Sequence, residues 1–148
     1  MTNDQWPIMK VKRTESGFLV ALDVGDEIIT SLKKVAELER IGMASLAGIG
    51  AVRDVVLGYL DLDQKQYLKR EFGPESMELV SLLGNMARLE GEPIAHCHVV
   101  LGDREMHTFG GHLFKATTSV TVEIFVRVFE GEISRQFDPN FGANLLTI

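Results

Sequence analysis

The sequence predicts an α+β fold, in which a mainly antiparallel β-sheet carries one principal amphipathic helix packed on it. Two observations predict this class. Residues 26–41 have apolar side chains at helical spacing, and almost all of the chain after Gly42 consists of short segments rich in β-branched and aromatic residues, separated by turn-forming residues. At 148 residues the chain has the usual size of one domain. We therefore expect a single domain over 1–148, with a core at roughly 8–130 and a C-terminal tail or edge strand at 131–148.

The first elements are two short strands and the helix. Residues 8–14 and 17–22 read as strands around the turn Glu15-Ser16-Gly17. In the helix, one apolar stripe repeats every three or four residues, which predicts one face on the sheet and the other in water. Asp26 is a candidate N-cap, and Gly42 is a candidate left-handed residue after the helix end. The stripe consists of Ile28, Leu32, Val35 and Leu38.

Several further strands are predicted after the helix. Residues 84–90 are compatible with either a strand extension or a short helical turn, and the apolar end at 143–148 predicts an edge strand or a subunit interface. Hairpins and short loops should join the strands, because glycine, proline and aspartate lie between them. The predicted strands are 43–50, 52–61, 65–72, 77–83, 94–101, 105–109 and 119–129.

Composition narrows the functional classes. The net charge is −6, whereas duplex-binding domains usually present a basic face. The densest basic cluster is Lys65, Lys69 and Arg70, which leaves room for a small local patch only. The N-terminal sequence lacks the pattern of a secretory signal, no apolar run approaches the ~20 residues that span a bilayer, and Cys97 is the single cysteine. These features favour a cytoplasmic protein.

All four histidines fall between residues 96 and 112. In a strand, His96 and His98 share one face and lie about 6.6 Å apart along the chain, so both imidazoles can reach one ion at bond lengths of ~2.0 Å. Cys97 points to the opposite face and should behave as a small buried hydrophobe. His107 is expected to be an exposed strand residue.

A third ligand has to come from a neighbouring strand. Gly102-Asp103 should close a hairpin, and Gly110-Gly111 permits a sharp turn that aims His112 back at the His96 and His98 face. Three histidines with a fourth position open to water or ligand are typical of catalytic or substrate-binding zinc. The residue pattern alone leaves ordinary core or surface histidines as an equal alternative.

Three ordered motifs resemble the prokaryotic form of the plants-and-prokaryotes-conserved (PPC) domain. The first is Ala47-Gly-Ile-Gly-Ala-Val52, which follows the helix, and the second is Glu78-Leu-Val-Ser-Leu-Leu-Gly84-Asn85. The third is Pro93-Ile-Ala-His96-Cys-His98 with the later Gly110-Gly-His-Leu113. The late strand Thr118-Ser-Val-Thr-Val-Glu123 is similar as well, so the resemblance covers roughly residues 8–130.

The resemblance implies an antiparallel sheet flanked by a helix, a homotrimer, and a metal ion, often zinc, bound by His96, His98 and His112. Iron and nickel also suit three imidazoles. The family often carries a DNA-binding label, but plant members carry AT-hooks on a separate segment and generally lack these histidines, and this chain has no Arg-Gly-Arg hook. DNA is therefore a possible partner only because of the family label, and the net negative charge disfavours it. We expect no membrane partner.

Two functional classes follow. The first is a trimeric metal-binding module that binds a small ligand or has a regulatory role. The second is a metal-dependent hydrolase or lyase acting on a small polar substrate at the open coordination position. An enzyme of this kind usually needs a base, and Glu78 and Glu123 are the candidate catalytic residues in strands, although strand carboxylates more often face solvent. No P-loop, nucleophile elbow or dinucleotide fingerprint is present.

Assembly has an argument independent of the resemblance. Strand 119–129 is apolar on nearly both faces, and the chain ends with Leu145, Leu146 and Ile148. One helix can cover only part of a large sheet, and an uncovered apolar face usually marks an interface. The apolar face therefore predicts a subunit interface, and with the homotrimer that the resemblance implies we expect threefold packing that places the metal site close to a subunit boundary.

Overall fold

The computed structural model describes residues 9–148 and consists of nine strands and one helix. Residue 8 of the first predicted strand lies outside this range. The strands are β1 (Lys10–Thr14), β2 (Gly17–Leu22), β3 (Ala44–Asp61), β4 (Gln66–Phe72), β5 (Met77–Leu89), β6 (Glu92–Gly102), β7 (Thr108–Val128), β8 (Ser134–Asp138) and β9 (Ala143–Thr147), and the helix is α1 (Ile28–Leu38).

The predicted α+β class with a principal helix is wrong. Strands hold 66% of the residues and helix only 8%, so the protein is mostly β. The prediction divided long strands into pieces: β3 runs for 18 residues through Gly50, and β7 runs for 21 residues through Gly110 and Gly111. Bulges in the β3 pairing, such as the one between Gly48 and Gly50, bend the strand without ending it.

The strand pairings close on themselves. β3 pairs with β5 and β7, and β6 also pairs with β5 and β7, all antiparallel. β1 and β2 extend this ring from β7, and β4 pairs with β3. β8 pairs in parallel with β5 and carries β9 at the edge, so the sheet is mixed. The segment 84–90 is resolved as a strand extension, since β5 continues to Leu89. The predicted tail or edge strand at 131–148 forms two short strands, β8 and β9.

The core lies between the ring and the helix. In β7, Val122, Ile124 and Val126 are buried in one cluster with the apolar face of α1, whereas Val120 and Phe125 are exposed. Ile28, Leu32 and Val35 are fully buried, whereas Leu38 ends the stripe and is 46% exposed. No helix in residues 9–148 has both the length and the apolar character needed to cross a membrane.

Both predicted helix caps are wrong. The N-cap is Glu27, whose carboxylate accepts from the backbone N–H of Ile29 and Thr30. Asp26 is one residue too early, and its carboxylate instead accepts from the N–H of Asp23 in the preceding turn. At the other end the left-handed residue is Arg40 (φ 53°). Gly42 serves close packing, because a Cβ there would lie 2.6 Å from the carbonyl oxygen of Gly131.

Glu27 also ties the helix to the sheet, because its Oε1 accepts from the N–H of Ala116 in β7 at 3.2 Å. We expect Glu27→Ala to lower the free energy of unfolding by about 2 kcal/mol, since the helix cap is lost and the partly buried N–H of Ala116 loses its acceptor. Urea unfolding measures the change. Glu37→Ala, an exposed position in the same helix, is the matched control, and equal effects of the two substitutions would contradict this role.

Candidate metal centre

Two neighbouring strands bring the three predicted histidines together. His96 and His98 alternate with the fully buried Cys97 in β6, as the pattern predicts. β6 and β7 are antiparallel, and their register sets His98 directly opposite His112. Directly opposed residues share a face of the sheet, so the three imidazoles converge on the side away from Cys97. Each ring offers a nitrogen within 4.8 Å of the other two.

The expected sharp turn at Gly110-Gly111 is wrong. Both glycines lie within β7, paired with Val100 and Val99. Their smallness serves a close approach of strands, because a Cβ on Gly110 would lie 2.6 Å from the oxygen of Val99, and one on Gly111 would lie 2.8 Å from the oxygen of Gly58. His112 therefore reaches the site by strand register.

The imidazole nitrogens are close and partly desolvated. Nε2 of His96 lies 3.2 Å from Nε2 of His98, and the ring of His112 lies 5.0 Å from that of His96 between centroids. Nδ1 of His112 is buried without a hydrogen-bond partner among the described residues. An unsatisfied buried nitrogen calls for a ligand that the protein itself does not supply.

A wall of aromatic rings supports His112. Its ring lies 4.7 Å from that of Tyr67 and 4.6 Å from that of Phe114, and Nζ of Lys69 lies 4.1 Å from the centre of the Phe114 ring. Gly58, the β3 residue opposite His112, makes room for this stack, because a Cβ there would lie 3.0 Å from the Tyr67 ring and still closer to Phe114.

Arg135 is a site residue that the sequence did not indicate. The parallel pairing of β5 and β8 sets Arg135 beside Leu89, and its guanidinium donates to Oδ1 of Asn85 at 2.8 Å and to the backbone oxygen of Asn144 at 2.9 Å. Nη2 also lies 3.1 Å from Nδ1 of His96. A guanidinium only donates, so Nδ1 of the neutral His96 ring accepts and Nε2 carries the hydrogen.

Burial and neighbouring charge act on two of the histidines. Burial, then the positive charge of Arg135 and the neighbouring His98, lower the pKa of His96 to about 4. The pKa of His112 is also lowered to about 4, chiefly by burial and then by His96, His98, Arg135 and Lys69. Both rings are therefore neutral at pH 7, the form that binds metals. Burial raises the pKa of the Cys97 thiol to about 12, so this thiol is inert.

The other predicted candidates lie elsewhere. The side chain of His107 is 76% exposed in the hairpin after β6, where its Nδ1 lies 3.2 Å from Oδ2 of Asp103. It belongs to a separate cluster with Asp103 and Glu105. Glu78 and Glu123 line a cavity that contains no histidine. In the single chain, Glu78 and Glu123 therefore lie in a different cavity from the one that His96 and His112 line.

Comparison with known proteins places the chain in a family. Residues 9–130 match the family described as the Plants and Prokaryotes Conserved (PCC) domain, which confirms the resemblance drawn from the motifs. A search of curated proteins gives no match.

Three solved structures illustrate the similarity. A "putative DNA-binding protein" from Ralstonia eutropha JMP134 is 31% identical with a TM-score of 0.87, covering 94% of this chain and 96% of its own. A plant- and prokaryote-conserved protein from Pyrococcus horikoshii is 32% identical (TM-score 0.82, 95% of each chain). A metal-containing protein from Archaeoglobus fulgidus is 38% identical (TM-score 0.82, 95% of this chain and 100% of its own).

The lowered pKa values of His96 and His112 predict a pH dependence of stability in metal-free protein. Between about pH 6.5 and pH 4 the unfolded chain binds more protons than the folded chain, so the free energy of unfolding should decrease as pH falls through this window. Urea unfolding of chelator-treated protein at pH 7, 6, 5 and 4 measures the slope. His112→Phe should make the slope shallower, because one titrating ring is gone; an unchanged slope would show that His112 does not contribute.

Proposed function

The chain belongs to the Plants and Prokaryotes Conserved domain family, and from this premise we propose that it is a metal-binding protein whose three-histidine site, in a homotrimer, offers an open coordination position to a small ligand. The observation that carries the proposal is the convergence of His96, His98 and His112. Two nitrogens bonded at ~2.0 Å to a tetrahedral ion lie about 3.3 Å apart, and the two Nε2 atoms of His96 and His98 are 3.2 Å apart.

The chemistry of the donors supports zinc. Three neutral imidazoles suit Zn²⁺, and also iron or nickel, better than Mg²⁺ or Ca²⁺, which prefer oxygen ligands. A bound ion would also account for the unpartnered Nδ1 of His112. The Archaeoglobus fulgidus neighbour, named as a metal-containing protein, is 38% identical to this chain, which adds support for the same property here.

A metal ion bound by the three histidines would change the hydrogen bonding of Arg135. Bonding through Nε2 of His96 leaves the ring hydrogen on Nδ1, where the 3.1 Å contact with Nη2 of Arg135 would set donor against donor. The guanidinium keeps Asn85 and the backbone of Asn144 as acceptors, and the N–H of Nη2 that faces His96 becomes free for another acceptor. A three-histidine ion supplies an open position at which it polarises a bound water or carbonyl group.

The subunit interface is proposed from one row of residues across the sheet. Ala47 is paired with Phe125 on one side and with Leu83 on the other, Leu83 is paired with His98, and His98 with His112. Opposed residues share a face, and here Phe125 is 60% and Leu83 61% exposed. This row, with the exposed Ile49, Val80 and Val120 on the same strands, is the apolar surface that packing against further copies would bury. Since the row ends at the histidines, the site would lie close to the subunit boundary.

DNA is not part of the proposal. Three copies would carry a net charge of −18, which repels phosphate. The basic cluster noted in the sequence does not form one patch, because Lys69 and Arg70 are consecutive in β4 and point to opposite faces. Lys69 lies over Phe114, and Arg70 lies 5.0 Å from the ring of Phe72.

Metal content tests the proposed site. We expect close to one Zn²⁺-like ion per chain in protein purified from zinc-supplemented medium, measured by elemental mass spectrometry. His96→Ala and His112→Ala should each lower occupancy at least tenfold, because two imidazoles hold the ion far more weakly than three. His107→Ala is the matched control and should retain the ion. Metal content near zero in the parent protein, or loss of the ion with His107→Ala alone, would overturn the assignment.

Analytical ultracentrifugation tests the assembly. We expect a mass near three times the 16.4 kDa chain at micromolar concentration. Phe125→Glu should reduce the mass to that of one chain, because a carboxylate would be buried in the apolar interface. Val24→Glu changes an exposed apolar residue in the loop before α1 and should leave the assembly intact. A mass near 16 kDa for the parent protein would contradict the trimer.

A further inference from the structure

A cavity of about 370 Å³ adjoins the histidines, which is within the size range of small-molecule sites. One wall comes from α1, another from β6 and β7 with His96 and His112, and the third from the β8–β9 hairpin. Among the described residues that line it, the cations are Lys33 and Arg135, and no aspartate or glutamate is present. This is unexpected in a chain with 21 acidic and 15 basic residues.

The buried guanidinium of Arg135 carries a positive charge that needs compensation. Arg135 is 8% exposed, and no carboxylate in residues 9–148 forms a salt bridge with it. Its three contacts go to neutral acceptors: Asn85, the Asn144 carbonyl and His96. Its Nε is buried without a partner. A buried charge is usually compensated by an opposite charge, so an anion beside this side chain would be stabilised.

The rest of the lining is suited to an apolar body. Ile29, Ile94, Phe114 and Phe137 contribute side chains to the walls, and Tyr67 adds an aromatic ring with a hydroxyl group. Lys33 stands on α1, one turn from Ile29, and forms no salt bridge within residues 9–148. The cavity therefore combines apolar walls, two cations without carboxylate partners and a side formed by two candidate metal ligands.

We propose that this cavity binds a small organic anion, with its acid group between Arg135 and Lys33 and its apolar body against the aliphatic and aromatic walls. The inference rests on the proposed function in one respect, since it names the class of ligand that would lie beside the metal. The N–H that Arg135 must withdraw from His96 when an ion is bound would find its acceptor in the acid group. Charge-assisted bonds from a guanidinium to a carboxylate or phosphate are among the strong hydrogen bonds.

Calorimetric titration of the purified, metal-containing protein with benzoate tests this proposal, and benzamide is the neutral probe of the same shape. We expect benzoate to bind at least tenfold more tightly than benzamide, because only the anion pairs with the two cations. Arg135→Gln should weaken benzoate binding roughly tenfold, and Lys33→Gln about threefold, since Lys33 is exposed and its ion pair is screened. Lys34→Gln, the neighbouring helix position outside the cavity lining, should leave the affinity unchanged. Phenyl phosphate in place of benzoate shows which acid group is preferred.

The same titrations on chelator-treated protein separate the two proposals. Benzoate binding that survives chelation and still depends on Lys33 and Arg135 supports the anion site even if the metal assignment fails. Equal affinity for benzamide and benzoate would overturn the inference. So would benzoate binding that is lost on chelation and insensitive to both substitutions, because the ion alone would then hold the acid. If Arg135→Gln does not fold, Lys33→Gln and the benzamide comparison decide.

Discussion

The register that sets His98 opposite His112 is the constraint on which the site depends. β6 lies between β5 and β7 and completes a ring with β3. A shift of β6 by one residue would therefore turn Cys97, Val99 and Leu101 out of the core. The same alternation that buries these side chains turns His96 and His98 to the opposite face. Core packing and site geometry are therefore two consequences of one pairing.

Arg135 links this face to the end of the chain. β8 and β9 are short, and β8 is attached to the ring by a brief parallel pairing with β5. The guanidinium adds bonds to Asn85 in β5 and to the Asn144 carbonyl in β9. It thereby holds the hairpin as a wall beside His96 and places a positive charge in a cavity without acidic residues. A positive charge is costly to bury without an opposite charge beside it. This cost is the physical reason to look for an anionic ligand.

On the outward face of the ring, the proposed subunit interface lies next to the three histidines. The row from Phe125 through Ala47 and Leu83 leads to His98 without interruption, so a neighbouring copy that covered the apolar part would stand beside the imidazoles. Such a neighbour would restrict access of water and ligands to the open position. The two carboxylates considered as bases, Glu78 and Glu123, lie in another cavity, and no aspartate or glutamate is among the described residues that line the cavity beside His96 and His112.

The sequence by itself determined the hairpin β1–β2, the approximate location of α1, the burial of Cys97 and the three histidines that converge. These features depend on local alternation, helical spacing and motif, which a linear pattern contains. It misjudged the fold class, because Gly50, Gly110 and Gly111 look like turns in a sequence but lie within long strands where chains approach closely. It misplaced the helix caps by one or two residues, because Asp26 and Glu27 are both plausible acceptors and only the preceding turn decides between them. Arg135 and its cavity were decided by tertiary structure alone, since 39 residues separate it from His96 and the parallel pairing of β8 with β5 has no local signature.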